Sequence, residues 1–209
     1  MLLALDTSTP AVTVALHDGD RVLAESTTVD ARRHTELVAP AILEVLDAAG
    51  ADRGDLTAIA VGVGPGPFTG LRIGLVTARM LGSVLRVPVR GVCSLDIVAA
   101  GVTGQARFAV ATDARRREVY WARYEGGRRT AGPAVVSPAE VATALPVAGI
   151  GSRLYPDAFP NPVPPEFPSA GTLASAIAAG TVDVLAPDPL YLRRPDASPP
   201  GARKSALAR

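Results

Sequence analysis

The same order of predicted elements, a three-strand meander followed by alternating helices and strands, occurs twice along the chain of 209 residues. Apolar runs separated by turns predict a three-strand meander at residues 2–28, followed by alternating helices and strands as far as residue 100. A second meander begins at Arg107 and again leads into a helix, a strand and a helix. This duplicated order favours an α/β protein with two lobes of one architecture. We expect lobes at residues 1–103 and 104–194, and a flexible tail at 195–209.

Capping and turn residues mark the ends of several predicted elements. Helical spacing of apolar residues predicts a helix from Thr35 to Gly50 and another from about Gly70 to Leu85. Ser94 is expected to cap a short helix that ends near Ala100. The segment from Ser137 to Glu140 has the form of a capping box, which predicts a further helix in the second lobe.

The composition excludes several kinds of chemistry. Cys93 is the only cysteine, so neither an intramolecular disulfide nor a multi-cysteine metal site can form. Lys204 is the only lysine, which excludes a P-loop or Schiff-base lysine in the folded body. The net charge of +1 provides no basic field for autonomous nucleic-acid binding. Because the N-terminus has no basic leader and the chain no long uninterrupted apolar span, we expect a cytoplasmic protein that binds no membrane.

The richest motif is a glycine-rich segment at residues 62–74, between a predicted strand and a predicted helix. Free N–H groups at a helix N-terminus can hold an anion, which makes Gly64, Gly66 and Thr69 candidate binding residues. The segment lacks the lysine of a P-loop and the spacing of a dinucleotide-binding fingerprint. Its glycines suit a tight turn and close helix packing equally well, so the spacing alone supports both interpretations.

A second candidate site lies where the first strand ends, at Asp6, Thr7 and Ser8. A carboxylate with neighbouring hydroxyls suits a metal-phosphate group, although such a turn more often satisfies its own backbone. Asp113 holds the corresponding place in the second lobe, beside three arginines. Two aspartates at equivalent turns are the arrangement expected of a fold that binds a nucleotide between its two lobes.

The two histidines, His17 and His34, lack the spacing of a hydrolytic zinc site. Cys93 and His34 stay open as a nucleophilic pair because triad partners can be distant in sequence, but a lone cysteine at a strand end is more often a small buried hydrophobe. The residues therefore assign no catalytic group and no metal site to the chain.

Five segments taken together resemble the bacterial TsaB (YeaZ) family, and the resemblance covers about residues 2–195. They are LALDTST at 3–9, RHT at 33–35, GPGPFTGLRIG at 64–74, DAR with EVYWA at 113–122, and PLYLR at 189–193. The order and separation of the glycine-phenylalanine and Asp-Arg-Glu-Val-Tyr segments make the match specific. The resemblance implies the two-lobed actin-like ATPase fold, a duplicated ribonuclease-H-like α/β architecture that sugar kinases and Hsp70 share.

The resemblance also implies a role without chemistry of its own. TsaB-like proteins pair with the related catalytic subunit TsaD and, with TsaE, support transfer of threonylcarbamoyl to the adenosine beside the tRNA anticodon. ATP would be used by the complex and not by a cofactor site in this chain, and tRNA would be met only through the complex. The catalytic relative holds its metal with a pair of histidines on a helix, whereas the equivalent region here offers only His34.

In the family, the first two long helices form the surface that docks on TsaD. The candidate contacts carried to this chain are Leu37, Ala41, Val45, Leu71, Leu75 and Arg79. These amphipathic positions suit the protein's own core equally well. An exposed helix face would also favour a homodimer when the partner is absent. One departure from the family is Pro67 in place of the usual serine, which removes a hydroxyl and a backbone donor from the glycine turn.

Two other functions stay open at this point. An actin-fold phosphotransferase would hold a metal-nucleotide between Asp6 and Asp113 and turn over ATP. A glycoprotease-like hydrolase would cleave peptides with a metal and depend on His34.

Overall fold

The structure, a computed structural model, describes residues 1–193, so Arg194 and the predicted tail at 195–209 lie outside the described residues. The strands are β1 (Leu2–Asp6), β2 (Ala11–His17), β3 (Val22–Val29), β4 (Ala58–Gly62), β5 (Val89–Val92), β6 (Arg107–Asp113), β7 (Val119–Glu125), β8 (Arg128–Val136) and β9 (Val147–Ala148). The α-helices are α1 (His34–Ala48), α2 (Phe68–Leu85), α3 (Ser94–Ala100), α4 (Gly151–Leu154) and α5 (Ala170–Ala179). The predicted α/β class and the two meanders are confirmed.

Two sheets organise the molecule. The first has the strand order β3-β2-β1-β4-β5, and the second has the order β8-β7-β6-β9. In the first sheet β1 runs antiparallel to β2 and parallel to β4. The carboxyl ends of the parallel strands β1 and β4 meet at one edge of the sheet. The turn after Asp6 therefore lies beside the glycine-rich segment that follows β4.

The first sheet is covered on both faces. Side chains alternate along β1, so Leu3 and Leu5 belong to the cluster that packs on α1 and α2, while Ala4 faces α3 and α5. Burying one leucine of this kind contributes roughly 1.5–3 kcal/mol. The opposite face carries alanines at Ala4, Ala15 and Ala60, which leave room for the alanine-rich α5 to approach closely.

The second sheet is also packed on both faces. Tyr120, Ala122 and Tyr124 share one cluster with residues of α3, and Val119 and Trp121 share the other, as strand alternation predicts. Phe108 stacks on Tyr124 with ring centroids 5.2 Å apart. Because α3 contacts both β6 and α5, it joins the two lobes.

Two predicted caps differ from the structure. The capping box at Ser137 forms, but the helix it starts is a single 3-10 turn, Pro138–Val141, because Ala142 already has an extended backbone with ψ of 133°. Ser94 is the first residue of α3 and does not cap it, because its hydroxyl accepts from the amide of Gly64 and donates to Oδ2 of Asp6.

The last part of the described chain returns to the first sheet. The sequence assigns α5 to the second lobe, but its buried residues pack on β1, β2 and β3 of the first sheet. The segment after it, residues 185–193, which we call the C-terminal strap, forms an antiparallel bridge between Leu185 and Gly91 of β5. The amide of Leu190 then donates to the carbonyl of Val63 at 2.8 Å. The first lobe is therefore built from the strands and helices of residues 1–92 together with α5 and the C-terminal strap.

One described helix, α2, is long and apolar enough to cross a membrane by length and composition alone. A core helix of a folded domain meets the same criteria, and six residues of α2 are buried against the rest of the fold.

Candidate functional site

The carboxylate of Asp6 is sealed inside the first lobe. Its Oδ1 accepts from the amide and the hydroxyl of Ser8, each at 2.7 Å, and its Oδ2 accepts from the Ser94 hydroxyl at 2.6 Å. The side chain is completely buried. Burial raises the pKa of Asp6, and the hydrogen bonds from Ser94 and Ser8 offset only part of that effect. The carboxylate of this turn therefore bonds to the turn's own backbone. That is the second of the two interpretations that the sequence offered for Asp6, Thr7 and Ser8, the first being a metal-phosphate site.

The glycines of the segment at 62–74 make room for the turn at Asp6. A Cβ on Gly66 would lie 2.3 Å from the carbonyl oxygen of Ser8, and one on Gly70 would lie 2.7 Å from that of Thr7. Gly62 and Gly74 face Asp6 and Thr7 in the same way. Four glycines at intervals of four residues therefore accept the side chains and carbonyls of one turn. Close packing explains this spacing, one of the two interpretations that the sequence left open.

Thr7 is bound into the backbone of α2. Its hydroxyl donates to the carbonyl of Gly70 at 2.7 Å and accepts from the amide of Gly74 at 3.0 Å. An ideal helix joins these two backbone groups directly. The hydroxyl contacts both of them, which fixes the N-terminal turn of α2 to the end of β1.

Asp113 holds the equivalent turn of the second lobe. Its Oδ1 accepts from the amide of Arg115 at 2.7 Å, and its Oδ2 lies 3.2 Å from the guanidinium of the same residue. Arg115, Arg116 and Arg117 all have left-handed backbones, with φ of 62°, 55° and 61°. The hydroxyl of Tyr120 donates to the carbonyl of Gly66 at 3.4 Å and connects this lobe with the glycine turn.

A cavity of about 130 Å³ opens beside these turns. Thr7 and Thr69 line it, whereas Asp6, Ser8, Gly64, Gly66 and Asp113 do not. Its other polar lining residues are Thr9, Arg32, His34, Thr35 and, from the second lobe, Arg115. His34, Thr35 and Arg115 lie in segments that carry the family resemblance, whereas Arg32 had no signal in the sequence.

The histidines are used in local hydrogen bonds. Nδ1 of His17 accepts from the amide of Gly19 at 2.9 Å, and Nε2 of the buried His34 donates to the carbonyl of Thr9 at 2.7 Å. Within residues 1–193, no three His, Cys, Asp or Glu side chains form a group able to hold a metal ion.

Cys93 lies in a buried polar cluster with Asp96 and Tyr124. Burial raises the pKa of the Cys93 thiol to about 11, and the nearby carboxylate of Asp96 adds to this effect. Asp96 accepts from the hydroxyl of Tyr124 at 2.7 Å and pairs with Arg129 at 3.2 Å. A thiol with a raised pKa is a poor nucleophile at neutral pH, so this cysteine behaves as a core residue.

The structure corrects the predicted docking residues. Ala41, Val45, Leu71 and Leu75 are buried in the core between the sheet and the first two helices, because the apolar stripe they form faces the protein's own strands. Leu37 is half-buried against the same core. Arg79 is exposed, and its guanidinium lies 3.2 Å from Asp188 of the C-terminal strap.

A different face of α2 is exposed and apolar. Phe68, Val76, Met80 and Val84 are 43%, 53%, 62% and 77% exposed. Together with Arg72 they repeat every four residues, so each lies beside the next and the series winds around the helix by about 40° per step. We call this exposed series the α2 stripe. Tyr191 of the strap extends it, since its ring stacks on Phe68 at 5.3 Å.

Comparison with known proteins gives the family. Residues 21–186 match the family model described as TsaD, tRNA N6-adenosine threonylcarbamoyltransferase. The solved structure of YeaZ from Pseudomonas aeruginosa is 35% identical, superimposes with a TM-score of 0.78, and the match covers 91% of this chain and 99% of that one. The chain belongs to the TsaB (YeaZ) family.

Two further relatives define the extent of the similarity to this TsaB-family chain. An uncharacterised protein of Mycobacterium tuberculosis is 50% identical over 204 residues, which are 95% of this chain and 94% of the relative. The tRNA threonylcarbamoyladenosine biosynthesis protein TsaB of Escherichia coli is 39% identical over 127 residues, or 59% of this chain and 54% of that protein. The family supports involvement in tRNA threonylcarbamoyladenosine biosynthesis, and the YeaZ superposition confirms the actin-like fold.

Proposed function

We propose that this TsaB-family chain is a non-catalytic subunit that activates transfer of threonylcarbamoyl to the adenosine next to the tRNA anticodon. Its partners in this proposal are a TsaD-like catalytic subunit and a TsaE-like ATPase. The chain has no cofactor of its own, the complex uses ATP, and tRNA is bound through the complex. We place this assembly in the cytoplasm.

The proposal rests on the burial and the hydrogen bonding of the Asp6 carboxylate. A carboxylate that helps to hold a metal-nucleotide must present an oxygen to the metal or its waters. Both oxygens of Asp6 already accept hydrogen bonds, and the side chain has no exposed surface. Asp113 is likewise bound to Arg115 of its own turn. This arrangement disfavours the alternative of an actin-fold phosphotransferase.

The α2 stripe supports a docking role. Phe68 and Val84 are sixteen residues apart, so the stripe is about 24 Å long at the rise of an α-helix. Exposed apolar surface of this extent is typical of a protein interface. α2 contains Arg72 and Arg79 and no acidic residue, so we propose that it packs against an apolar, acidic helical face of the TsaD-like subunit. Without that partner, we expect the same stripe to join two copies of the chain.

Reconstitution tests the activating role. TsaC, a TsaD-like and a TsaE-like protein would be combined with threonine, bicarbonate, ATP and unmodified tRNA, with or without this chain. The modified nucleoside is scored by mass spectrometry. We expect product only when the chain is present. Equal product in its absence would reject the proposal.

Variants in the stripe test the docking surface. Met80→Asp and Val76→Asp place a charge on exposed positions, so the fold should be retained while binding to the TsaD-like subunit falls at least about tenfold. Leu154→Asp is the matched control, because Leu154 is 48% exposed on α4 in the second lobe. If Met80→Asp and Val76→Asp both bind the TsaD-like subunit as tightly as the wild type does, the stripe is not the docking surface.

A further inference from the structure

The C-terminal strap crosses from the first lobe to the second. At its start, Leu185 and Gly91 of β5 exchange two backbone hydrogen bonds, at 2.8 and 2.9 Å. At its end, the guanidinium of Arg193 donates to the carbonyl of Ala114 at 3.2 Å and pairs with the carboxylate of Glu118. Ala114 and Glu118 lie in the turn between β6 and β7. The strap therefore ties the edge of the first sheet to a turn of the second.

The middle of the strap lies where the cores of the two lobes meet. The amide of Leu190 donates to the carbonyl of Val63, directly before the glycine turn. The Leu190 side chain packs on the core of the first lobe and also on the cluster that α3 forms with the second sheet. Separating the lobes would expose this side chain to water, which is unfavourable. Leu190 in its present place therefore favours the present arrangement of the lobes.

The first lobe has a seat for the strap at Gly91. A Cβ there would lie 2.5 Å from the carbonyl oxygen of Ala186 and 2.6 Å from a methyl group of Val63. Gly91 is not one of the glycines with a positive φ. The close approach of the strap, and not the backbone conformation, thus accounts for the glycine at this position.

The side-chain attachments of the strap are individually weak. Asp188 pairs with Arg79 of α2, but both side chains are more than half exposed, and exposed ion pairs contribute little to stability. Tyr191 and Phe68 stack on the surface, where both rings remain partly exposed. The strap belongs to no helix or named strand. A segment held in this way opens at a lower free energy than the core does, so it can leave its seat while both lobes stay folded.

We propose that the strap is a releasable clasp that holds the two lobes in one arrangement. In place, it fixes the edge of the first sheet, the glycine turn and the β6–β7 turn relative to one another. After release, the lobes keep the contacts of α3 and the bond from the Tyr120 hydroxyl to the carbonyl of Gly66. That bond, at 3.4 Å, is long for a hydroxyl donor, so we expect the released lobes to sample a wider range of separations.

The clasp also connects the arrangement of the lobes with the α2 stripe. Phe68 begins the stripe and Tyr191 stacks on it from the strap, so a partner on the stripe covers both. Such a partner binds the seated strap better than the released one, which shifts the protein towards the seated state. This coupling rests on the docking surface proposed above, whereas the clasp itself does not.

Hydrogen exchange in the whole chain, followed by mass spectrometry, tests the clasp. Tyr191→Ser removes the stacked ring, and Arg193→Gln removes the ion pair with the second lobe. Each should speed exchange at least about threefold in the strap, β5 and the β6–β7 turn together, and leave α1 unchanged. Arg153→Gln is the matched control, because it breaks a surface ion pair with Glu166 away from the strap, and it should change none of these segments.

The separation of the lobes is measured by pulsed electron paramagnetic resonance. Gly54→Cys and Arg128→Cys place one spin label on an exposed position of each lobe, and the buried Cys93 stays unlabelled. We expect one narrow distance distribution in this labelled chain and a broader one after Tyr191→Ser or Arg193→Gln. Asp188→Asn, at an exposed position that cannot disturb the core, should broaden it to a smaller extent and covers the case in which another variant is poorly folded.

An unchanged distance distribution in all three strap variants would overturn the clasp, even if the strap exchanges faster, because the strap would then be a loop of the first lobe alone. Addition of the TsaD-like subunit tests the coupling. Narrowing of the broadened distribution in Arg193→Gln supports it, and binding without narrowing overturns it. If the subunit does not bind, the docking surface and the coupling fail together, and the measurements on the isolated chain still decide the clasp.

Discussion

The hydroxyl of Thr7 lies 2.7 Å from the carbonyl oxygen of Gly70, inside the first turns of α2. It also accepts from the amide of Gly74, so a single side chain serves two backbone groups of the helix. The end of β1 and the start of α2 are thereby held as one unit. This unit forms one wall of the cavity and also supports the exposed α2 stripe.

Thr7→Val should destabilise the protein by about 1–3 kcal/mol, because the valine has the same shape but leaves the buried groups of Gly70 and Gly74 without their partner. Thr7→Ser keeps the hydroxyl and should lose distinctly less. Urea unfolding followed by circular dichroism measures both free energies. Equal losses in the two variants would contradict a role for the hydroxyl.

Gly66→Ala should destabilise the fold strongly, because its Cβ would lie 2.3 Å from the backbone carbonyl of Ser8, which cannot move without displacing the turn. We expect a loss of about 2 kcal/mol or more. Gly54→Ala is the control, since nothing lies within 4 Å of its Cβ. Thermal unfolding of the two variants makes the comparison, and a neutral Gly66→Ala would show that the glycine turn is not tightly packed.

Asp6 should make stability depend on pH. Its pKa is raised in the folded state by burial, so the folded protein binds the proton more tightly than the unfolded chain. The stabilisation by the neutral acid is complete below the unfolded value of about 3.9 and is lost as the pH rises through the raised folded pKa. Asp6→Asn cannot ionise and should lack this loss.

The measured quantity is the slope of the unfolding free energy against pH between about 4 and 8. Asp6→Asn changes the unfolding free energy by the same amount at every pH, so only the slope reports the ionisation of Asp6. Ser94→Ala should steepen the slope, because it removes the hydrogen bond to Oδ2 that favours the carboxylate. Ser175→Ala, at an exposed position of α5, should leave it unchanged. Parallel slopes in wild type and Asp6→Asn would refute this origin.

Glu25 should hold α5 on the first sheet. Its Oε1 accepts from the hydroxyl of Ser169 at 2.8 Å and from the amide of Gly171 at 3.1 Å, at the N-terminus of that helix. Glu25→Gln should therefore lower the unfolding free energy by about 0.5–1 kcal/mol and speed hydrogen exchange in α5. Glu125→Gln, at the end of β7, serves as the control and should change neither quantity. Unaltered exchange in α5 would argue against the contact.

The sequence predicted the individual helices and strands more accurately than it predicted how they pack against one another. Apolar periodicity gave α1 and α2 to within two residues at each end, because each helix buries a stripe against one sheet. The sequence left those stripes open between a docking face and the protein's own core, since Val45 and Leu71 have the same spacing in either case, and the structure buries both residues. The glycine interval was visible, but its cause is the approach of Ser8 from a distant turn, which no local pattern encodes.

The position of α5 has a consequence for how the protein is made. The face of the first sheet that carries Ala4, Ala15 and Ala60 is covered by a helix that ends at residue 179. At about 5–20 residues per second, synthesis must continue for several seconds after β5 is complete before that helix exists. The first lobe therefore stays covered on one face only while residues 93–179 are synthesised, and a late segment of the chain completes the sheet that the first segments form.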